Sequence, residues 1–466
     1  MHFGIGAGLL GEGGDIGFSH EAGQGVGNGR RGRHLVLLSN GIYETIRWEV
    51  TGQKIKGKRS NFPRRCAIEH DRRRLMAGCL EGIRVLELGN FISGPYGAML
   101  LADMGAEVIK VENPKGGDPF RGWDFGGDQP NFWAYNRGKK SVTVNLQAPE
   151  GKEIFYALVK QADVVIDNYR PGVTQKLGID FDALKKINKR IVCCSITGTG
   201  PTGPYVKRPA YDTVGQGMGG MMSVLMDPKD PKPVGPAYAD CLSGMFSALG
   251  VLGALMARNR TGEGQQVDAT MVGSILAFLN APATETLAHG RIPGPYTRPR
   301  QSQTYAFACA DGAMLAIHLS SPQKFWEGLC QSVGHPELIE DPRFKTRPDR
   351  RNNYDELNKT FAVFFKEQPR SYWIERLEAQ DVPHTPVYNL KEVFDDPQVQ
   401  HMGMQIAIER KNKPTIRTVK FPLTHRATPS PFPTPPPELG ENNDEFLREL
   451  GYDDAKIAEL KEKGII

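Results

Sequence analysis

The sequence predicts an α/β protein with a parallel sheet, followed by a smaller α+β domain. Three observations support this prediction. Apolar strands alternate with helices between residues 82 and 196, which is typical of β-α-β units. Loops rich in glycine and proline follow several of these strands. Residues 303–390 then change in character, to a short hairpin around Asp311-Gly312 followed by three helices.

The elements of the first domain follow one another in a regular order. Apolar runs predict strands at 82–88, 107–112, 139–146, 163–167 and 191–196, and amphipathic stretches predict helices at 96–104 and 150–161. Functional sites in parallel sheets gather beyond the carboxyl ends of the strands. The loops 89–95, 113–118 and 168–172 are therefore the first candidates for a site.

A long helix is predicted to begin near Asp240, because the run from Cys241 to Arg258 contains no charge before Arg258. Its glycines and alanines would allow close approach of other backbone. Its N-terminus would present free N–H groups to an anion. Aspartate is also a common N-cap residue, so local sequence alone favours a structural role for Asp240. Another helix is predicted over residues 271–289.

Composition excludes several classes of function. The chain has 466 residues, 39% hydrophobic and 24% charged, which is typical of a globular protein of more than one domain. Its net charge of +5 comes from residues 1–75, so the remainder has no excess of positive charge that would indicate nucleic-acid binding. No uninterrupted apolar run of about 18 residues suggests a membrane span. Seven cysteines without a CxxC pair predict reduced thiols and no metal site.

The domain boundaries follow from these patterns. Residues 1–75 are predicted to be a flexible or non-native extension, with Met76 as the natural start. The large domain would occupy 76–296, the small domain 297–396, and residues 397–466 would return to the large domain. Two GxGxxG matches, at 6–11 and 198–203, do not lie at a strand-to-helix turn, which disfavours an NAD-dependent enzyme.

A series of motifs in one order resembles the class III CoA-transferase family. The resemblance covers about residues 80–466 and rests on many short motifs rather than one. They are Gly82–Pro95, Gly105–Glu112, Gly117-Asp118 with Arg121–Trp123, Asn136–Ser141, Asn168–Gly172 with Leu177-Gly178, Gly200–Pro204 with Tyr211-Asp212, Asp240 with Gly262–Asp268, and Leu439–Tyr452.

This resemblance implies a large Rossmann-like domain assembled from both ends of the chain, an inserted small domain, and an interlocked homodimer. It implies an enzyme that transfers CoA from an acyl-CoA donor to a small carboxylic acid. Acyl-CoA and CoA would be substrates, with no permanently bound cofactor or metal and no nucleic acid or membrane as partner. We expect a cytoplasmic location, with a mitochondrial one open for a eukaryotic source.

The resemblance also assigns site residues. Asp240 occupies the place of the family's nucleophile, which forms an acyl-aspartyl anhydride and then an aspartyl-CoA thioester, and we expect the helix N-terminus to favour its ionised form. Ile92 cannot hydrogen-bond a substrate, which disfavours an oxalate- or formate-like acid. The expected CoA contacts are Lys139, Asn168, Tyr169, Lys176 and Arg121, and the expected substrate pocket contains Asn90, Ile92 and Tyr211.

Two other functions remain open from the sequence. The same fold hosts α-methylacyl-CoA racemase, which abstracts a proton with a His–Asp pair. At the place of that histidine this chain has Tyr211, followed by Asp212, and an unperturbed tyrosine is a poor base near neutral pH. A non-catalytic CoA-binding protein is the second alternative, and an intact Asp240 region argues against it.

Overall fold

The computed structural model describes residues 78–123 and 129–466, together with two strands near the N-terminus. These strands, β1 (Gly32–Ser39) and β2 (Ile42–Glu49), pair antiparallel. The chain divides into two units, Met1–Ile68, which contains these strands, and Glu69–Ile466. Apart from these strands, the extension predicted over residues 1–75 lies outside the described residues.

A six-stranded parallel sheet forms the centre of the second unit, in the order β5-β4-β3-β6-β7-β8. The prediction of an α/β protein with a parallel sheet is therefore confirmed. The strand order reverses between β3 and β6, and parallel sheets bind ligands at such switch points. The strands are β3 (Arg84–Glu87), β4 (Glu107–Glu112), β5 (Lys139–Thr143), β6 (Val164–Asp167), β7 (Val192–Thr197) and β8 (Gln266–Thr270).

Helices cover both faces of this sheet. One face carries a core with Leu86, Ile109 and Val165, and the other a core with Val85 and Ile166. The α-helices between residues 93 and 302 are α1 (Ser93–Asp103), α2 (Pro130–Asn136), α3 (Pro149–Lys160), α4 (Val173–Leu177), α5 (Phe181–Ile187), α6 (Asp212–Met218), α7 (Met221–Leu225), α8 (Tyr238–Thr261), α9 (Met271–Phe278), α10 (Asn280–His289) and α11 (Thr297–Ser302).

The helix predicted over residues 271–289 is interrupted. It consists of α9 and α10, which meet at Leu279. Pro282 lies in the first turn of α10, where a residue without an N–H group is tolerated, whereas inside one continuous helix it would remove a hydrogen bond. The prediction of a single helix was wrong because this proline was not used as a boundary signal.

A further hydrophobic core, the small core, is formed by residues between 305 and 382. Its sheet has the order β11-β10-β9, with β9 (Thr304–Ala308), β10 (Met314–His318) and β11 (His384–Val387). The predicted hairpin is present, with Gly312 at a φ of +78°. The domain boundaries at 297 and 396 stay predictions. The helices that follow are α12 (Gln323–Ser332), α13 (Arg347–Asn352), α14 (Tyr354–Phe365), α15 (Arg370–Ala379), α16 (Leu390–Asp395) and α17 (Pro397–His401).

The last part of the chain packs on the large sheet. A hairpin that was not predicted, β12 (Gln405–Arg410) with β13 (Lys413–Val419), precedes it. Helices α18 (Asn443–Glu449) and α19 (Asp454–Glu462) then join the core on the side of α3. At the outer strand β5, the Ser141 N–H donates to Asn442 Oδ1 at 3.0 Å, and the Asn442 N–H donates to the Ser141 carbonyl at 2.9 Å.

Helix α8 packs against α1, β7 and β8. Among the described residues it is the one helix whose length and mean hydropathy of 1.5 would suit a membrane span. Core helices pass the same test, and α8 contributes buried residues to the core of the large sheet.

Candidate functional site

The loop after β3 and the residue after β6 meet at the switch point of the sheet. The Asn90 N–H donates to Asn168 Oδ1 at 2.9 Å, and Asn168 Nδ2 donates to the Asn90 carbonyl at 2.8 Å and to Ser93 Oγ at 3.1 Å. These contacts form because β3 and β6 are neighbours. Asn168 therefore fixes the loop 89–92 with its side chain, and Asn90 and Ile92 are both half-buried there.

Phe91 occupies the centre of this loop in a left-handed conformation, with a φ of +61°. Such a conformation is uncommon for a bulky residue and occurs more often at functional sites. Its N–H group donates to Asp118 Oδ1 at 3.2 Å. Its ring makes edge contacts with Phe120 at 5.4 Å and with Tyr211 at 6.3 Å between centroids. Through Phe91, the predicted pocket residue Tyr211 is brought next to the loop that contains Asn90 and Ile92.

Two buried lysines lie beneath the loop. Lys110 Nζ is 3.2 Å from Glu87, 3.0 Å from Asp118 and 2.8 Å from the Gly89 carbonyl. Burial lowers the pKa of Lys110, but Glu87 and Asp118 outweigh it and raise that pKa above its ordinary value. Lys139 shares Glu87 at 3.2 Å, and burial lowers its pKa to about 8. A buried network of charges thus supports the backbone at the switch point.

Lys139 and Arg121, two of the expected CoA contacts, already have partners within the protein. The three protons of the Lys139 ammonium already have partners, namely Glu87, the Pro95 carbonyl at 2.9 Å and Asn136 Oδ1 at 2.8 Å. The Arg121 guanidinium forms a bidentate pair with Glu112 and also donates to the carbonyl of Pro437. The motif positions did not reveal these partners, which come from other segments of the chain, and a contact of Lys139 or Arg121 with CoA stays a prediction.

Asp240 is the third residue of α8 and is half-buried. Burial, and secondly the negative charge of Asp212, raise its pKa to about 7. The first amides of the helix do not serve Asp240, because Asp212 Oδ1 accepts from the N–H groups of Ala239 at 2.8 Å and of Asp240 itself at 3.3 Å. The expectation that the helix N-terminus favours the ionised form of Asp240 is therefore wrong in direction.

Uncharged polar side chains surround Asp240 on another side. The Tyr135 hydroxyl is close enough to the Cys241 thiol for a hydrogen bond, and burial together with Cys241 and Asp240 raises the pKa of Tyr135. Burial and the charge of Asp240 raise the pKa of Cys241 to about 11. The Tyr96 ring contacts Tyr135 edge-on at 5.9 Å. Tyr135 and Cys241 thus stay protonated near neutral pH, and both can donate to a developing negative charge.

A cavity of about 320 Å³ lies at the carboxyl ends of β6, β7 and β8. Tyr169 and Arg170 line it, and Lys176 is exposed on α4 nearby in sequence. Asp167 is buried at its floor, where burial raises its pKa to about 6 and Ser195 Oγ donates to it at 2.7 Å. Within the described parts of the chain, no group of three or more His, Cys, Asp or Glu side chains has a metal-site arrangement.

The structure thus brings Asn90, Ile92 and Tyr211 together at the Phe91 loop, and Tyr169 to the cavity. Sequence reasoning did not predict that Asp212 and Tyr135 lie beside Asp240. Asp212 is the first residue of α6, and the amides that it accepts from are 27 and 28 residues further along the chain, so spacing in the sequence does not reveal them. Tyr135 directly precedes the Asn136–Ser141 motif, and no pattern in the sequence marked it as a site residue.

Comparison with known proteins was made at the levels of family, sequence and structure. The model of the family described as CoA-transferase family III matches residues 80–443. The succinate–glutarate CoA-transferase of Agrobacterium fabrum is 35% identical over 383 residues, which cover 80% of this chain and 95% of that protein. The human succinyl-CoA:glutarate CoA-transferase is 34% identical, covering 83% of this chain and 90% of that protein.

Solved structures show the same similarity. A CaiB/BaiF family protein from Brucella suis superposes with a TM-score of 0.73 at 33% identity, covering 80% of this chain and all of that one. Rv3272 from Mycobacterium tuberculosis superposes with a TM-score of 0.71 at 30% identity, covering 80% and 99% of the two chains.

Proposed function

The chain belongs to CoA-transferase family III and is a CoA-transferase, and from that premise we propose that it exchanges CoA between carboxylic acids through covalent intermediates on Asp240. The observation that carries this proposal is the half-buried carboxylate of Asp240 with a pKa of about 7. A carboxyl group whose pKa is strongly perturbed by burial and by a specific neighbouring charge is a candidate for catalysis.

The proposed reaction begins when a carboxylate oxygen of Asp240 attacks the thioester carbonyl of the donor. The C–S bond breaks, and the electron pair leaves with CoA as a thiolate. That thiolate then attacks the Asp240 carbonyl of the anhydride, releasing the donor acid and leaving an aspartyl-CoA thioester. The acceptor acid reverses the two steps. Covalent catalysis divides one difficult exchange into easier steps, and no cofactor is required.

Tyr135 is the group that we propose to stabilise the charges formed in these steps. Each attack on a carbonyl group produces an oxyanion, and each attack of a carboxylate on a thioester releases the CoA thiolate. A hydroxyl that remains protonated donates best to such charges, particularly in a partly dry site. The raised pKa of Tyr135 and its position beside Asp240 and Cys241 support this role.

The proposed acids are short dicarboxylates. Relatives from Agrobacterium fabrum and human carry the names of succinate and glutarate transferases, and one from Chloroflexus aurantiacus is named succinyl-CoA–D-citramalate CoA-transferase. Ile92 lies in the loop next to Tyr211, and its apolar side chain suits the methylene groups of such an acid. One- and two-carbon acids such as formate and oxalate have no methylene group to place there. We therefore place succinyl-CoA and glutarate first among substrates to test.

We propose that CoA binds over the loops after β6, with Tyr169 against the nucleotide and Lys176 near a phosphate. Tyr169 lines the cavity of about 320 Å³, and Lys176 is exposed, as a phosphate contact requires. Asn168 would act by holding the loop 89–92, since its side-chain amide is already used within the protein.

We also propose the interlocked homodimer, with a small domain over residues 297–396. Large apolar side chains are exposed on α8, α9 and α10, and an exposed apolar surface of this kind suits a subunit interface. They are Met245, Leu249, Met256, Leu276, Phe278 and Leu287. Light scattering after gel filtration that gives the mass of one chain would contradict this part of the proposal.

Peptide mapping tests the covalent mechanism directly. The protein is incubated with succinyl-CoA, glutaryl-CoA, acetyl-CoA or formyl-CoA and then treated with hydroxylamine. We expect a hydroxamate on the peptide that contains Asp240 with at least one donor, and none in Asp240→Ala. An absence of adduct, combined with exchange of the α-proton of an acyl-CoA observed by NMR, would instead indicate a racemase.

A further inference from the structure

The start of helix α8 is capped by a residue from another helix. Ala237, at the N-cap position, provides no side-chain hydrogen bond. Instead, Oδ1 of Asp212, the first residue of α6, accepts from the N–H groups of Ala239 and Asp240. Hydrogen bonds from a carboxylate to the free amides of a first turn stabilise that turn. The main chain that carries the proposed nucleophile is therefore held by Asp212.

The other oxygen of Asp212 is fixed as well. Gln216 Nε2, one turn further along α6, donates to Asp212 Oδ2 at 2.5 Å and to the Pro236 carbonyl at 3.2 Å. Gln216 is buried, so this contact is shielded from water. Gly215 lies against Ala239, and a Cβ atom at Gly215 would be 2.8 Å from the Ala239 side chain. Helix α6 and the first turn of α8 thus form one closely packed unit, which keeps the two carboxylates together.

The groups that face Asp240 leave its charge uncompensated. Tyr135 on α2 and Tyr96 on α1 are neutral near pH 7, as is Cys241 on α8 itself. Helix α9, which also packs against α8, has no titratable side chain. Among the residues that the structure describes, the charged group that acts on Asp240 is the carboxylate of Asp212, which repels it.

We infer that Asp212 is a positioning residue that holds the main chain of Asp240 and, by its fixed negative charge, destabilises the free nucleophile relative to its covalent adducts. The inference rests on the proposed function. In the anhydride and in the aspartyl-CoA thioester, Asp240 is an uncharged acyl group, so its repulsion by Asp212 disappears when either forms. The departing charge is carried by the CoA thiolate or by the released acid.

Asp212→Asn removes the charge but keeps the cap, because the asparagine oxygen can still accept from the two amides. Its amide nitrogen can no longer accept from Gln216, and Asp396→Asn, the control described below, likewise loses an acceptor for the Tyr388 hydroxyl. We expect the acid limb of the kcat/KM profile to move about one pH unit lower, since the repulsive charge is gone. We expect the steady-state fraction of Asp240 in the covalent adduct to fall severalfold. Asp212→Ala loses the cap too and should lower kcat further.

Asp396→Asn is the matched control. Asp396 is also half-buried and caps α17 through two amides, those of Gln398 at 2.8 Å and Val399 at 3.1 Å. Its replacement should leave the acid limb and the adduct fraction unchanged. If Asp212→Asn behaves like this control while the wild-type protein still forms an adduct on Asp240, the inference is wrong and the proposed function stands. If the wild-type protein forms no adduct on Asp240, both are overturned.

Discussion

Gly244 lies directly against the backbone of Ser93, and a Cβ atom at Gly244 would be 2.7 Å from the Ser93 carbonyl oxygen. The contact joins α8, which carries Asp240, to the first residue of α1, which follows the Phe91 loop. Gly97 and Ser247 continue the same close approach one turn further along. The small residues noted in the sequence thus hold the proposed nucleophile and the predicted substrate loop at a fixed separation.

The first prediction concerns this helix contact. Gly244→Ala should lower the free energy of unfolding by about 1–3 kcal/mol, because the added methyl group must displace α1 or α8. It should also lower kcat, since Asp240 lies one turn away. Gly253→Ala is the control on the same helix, with no atom within 4 Å of its new Cβ. That change should be neutral or stabilise by up to about 1 kcal/mol in chemical denaturation. Equal effects of the two changes would contradict the contact.

The pH dependence of the reaction should report Asp240. In the proposed mechanism its carboxylate must be ionised to attack, and its pKa is about 7. The rate of adduct formation with saturating succinyl-CoA should therefore fall below pH 7, approaching tenfold per pH unit well below it. Rapid-quench measurements between pH 5 and 9 test this. A rate that stays constant down to pH 5 would show that the nucleophile ionises with an ordinary carboxyl pKa.

Through Asp240, the free energy of unfolding should change with pH in the direction opposite to that expected for a salt-bridged carboxylate. The pKa of Asp240 is about 7 in the folded protein and near 3.8 in the unfolded chain, so the folded state binds more protons between these values. Its contribution to stability is therefore lost as the pH rises from about 4 to 7. Asp240→Asn should raise the free energy of unfolding at pH 8 by about 1–2 kcal/mol, with little gain at pH 4. Thermal unfolding at both pH values provides the measurement.

The buried lysine network should be sensitive to the loss of one cation. Lys110→Met would leave Glu87 and Asp118 without their shared partner and should destabilise the protein by about 3–5 kcal/mol. Lys140→Met is the comparison on the same sheet, because Lys140 pairs with Glu107 and Glu445 at the exposed surface. That change should cost less than about 1 kcal/mol in urea unfolding. A similar cost for both would mean that the Lys110 network is not desolvated.

The proposed CoA contact at Lys176 predicts an effect on binding without an effect on folding. Lys176→Ala should raise the KM for acyl-CoA severalfold, because a phosphate contact is lost. Replacing the substrate by its dephospho-CoA analogue should then raise the KM less in the variant than in the wild-type protein. Lys160→Ala, at another exposed lysine on α3, should leave KM unchanged. Matching KM values for the two variants would remove Lys176 from the site.

Sequence reasoning succeeded where the information was local. Alternation of strands and helices predicted the parallel sheet, and turn chemistry at Gly312 predicted the hairpin of the small core. It failed where a partner came from a distant segment. The enclosure of Lys139 depends on Glu87 from another strand, and the pKa of Asp240 is raised by burial and secondly by Asp212 from another helix. Spacing in the chain does not record which strands become neighbours, so neither environment could be predicted.

The hydrogen bonds between β5 and residues near 442 have a consequence for synthesis on the ribosome. Strand β5 is at the edge of the large sheet, and Asn442 and Asn443 satisfy the N–H groups of Ser141 and Thr143 there. These asparagines are translated about 300 residues after the strand that they cover. Until they emerge, the nascent chain presents an open sheet edge, the feature through which unfinished proteins associate. Chaperone protection should therefore matter most late in translation, after the sheet has formed and before its edge is closed.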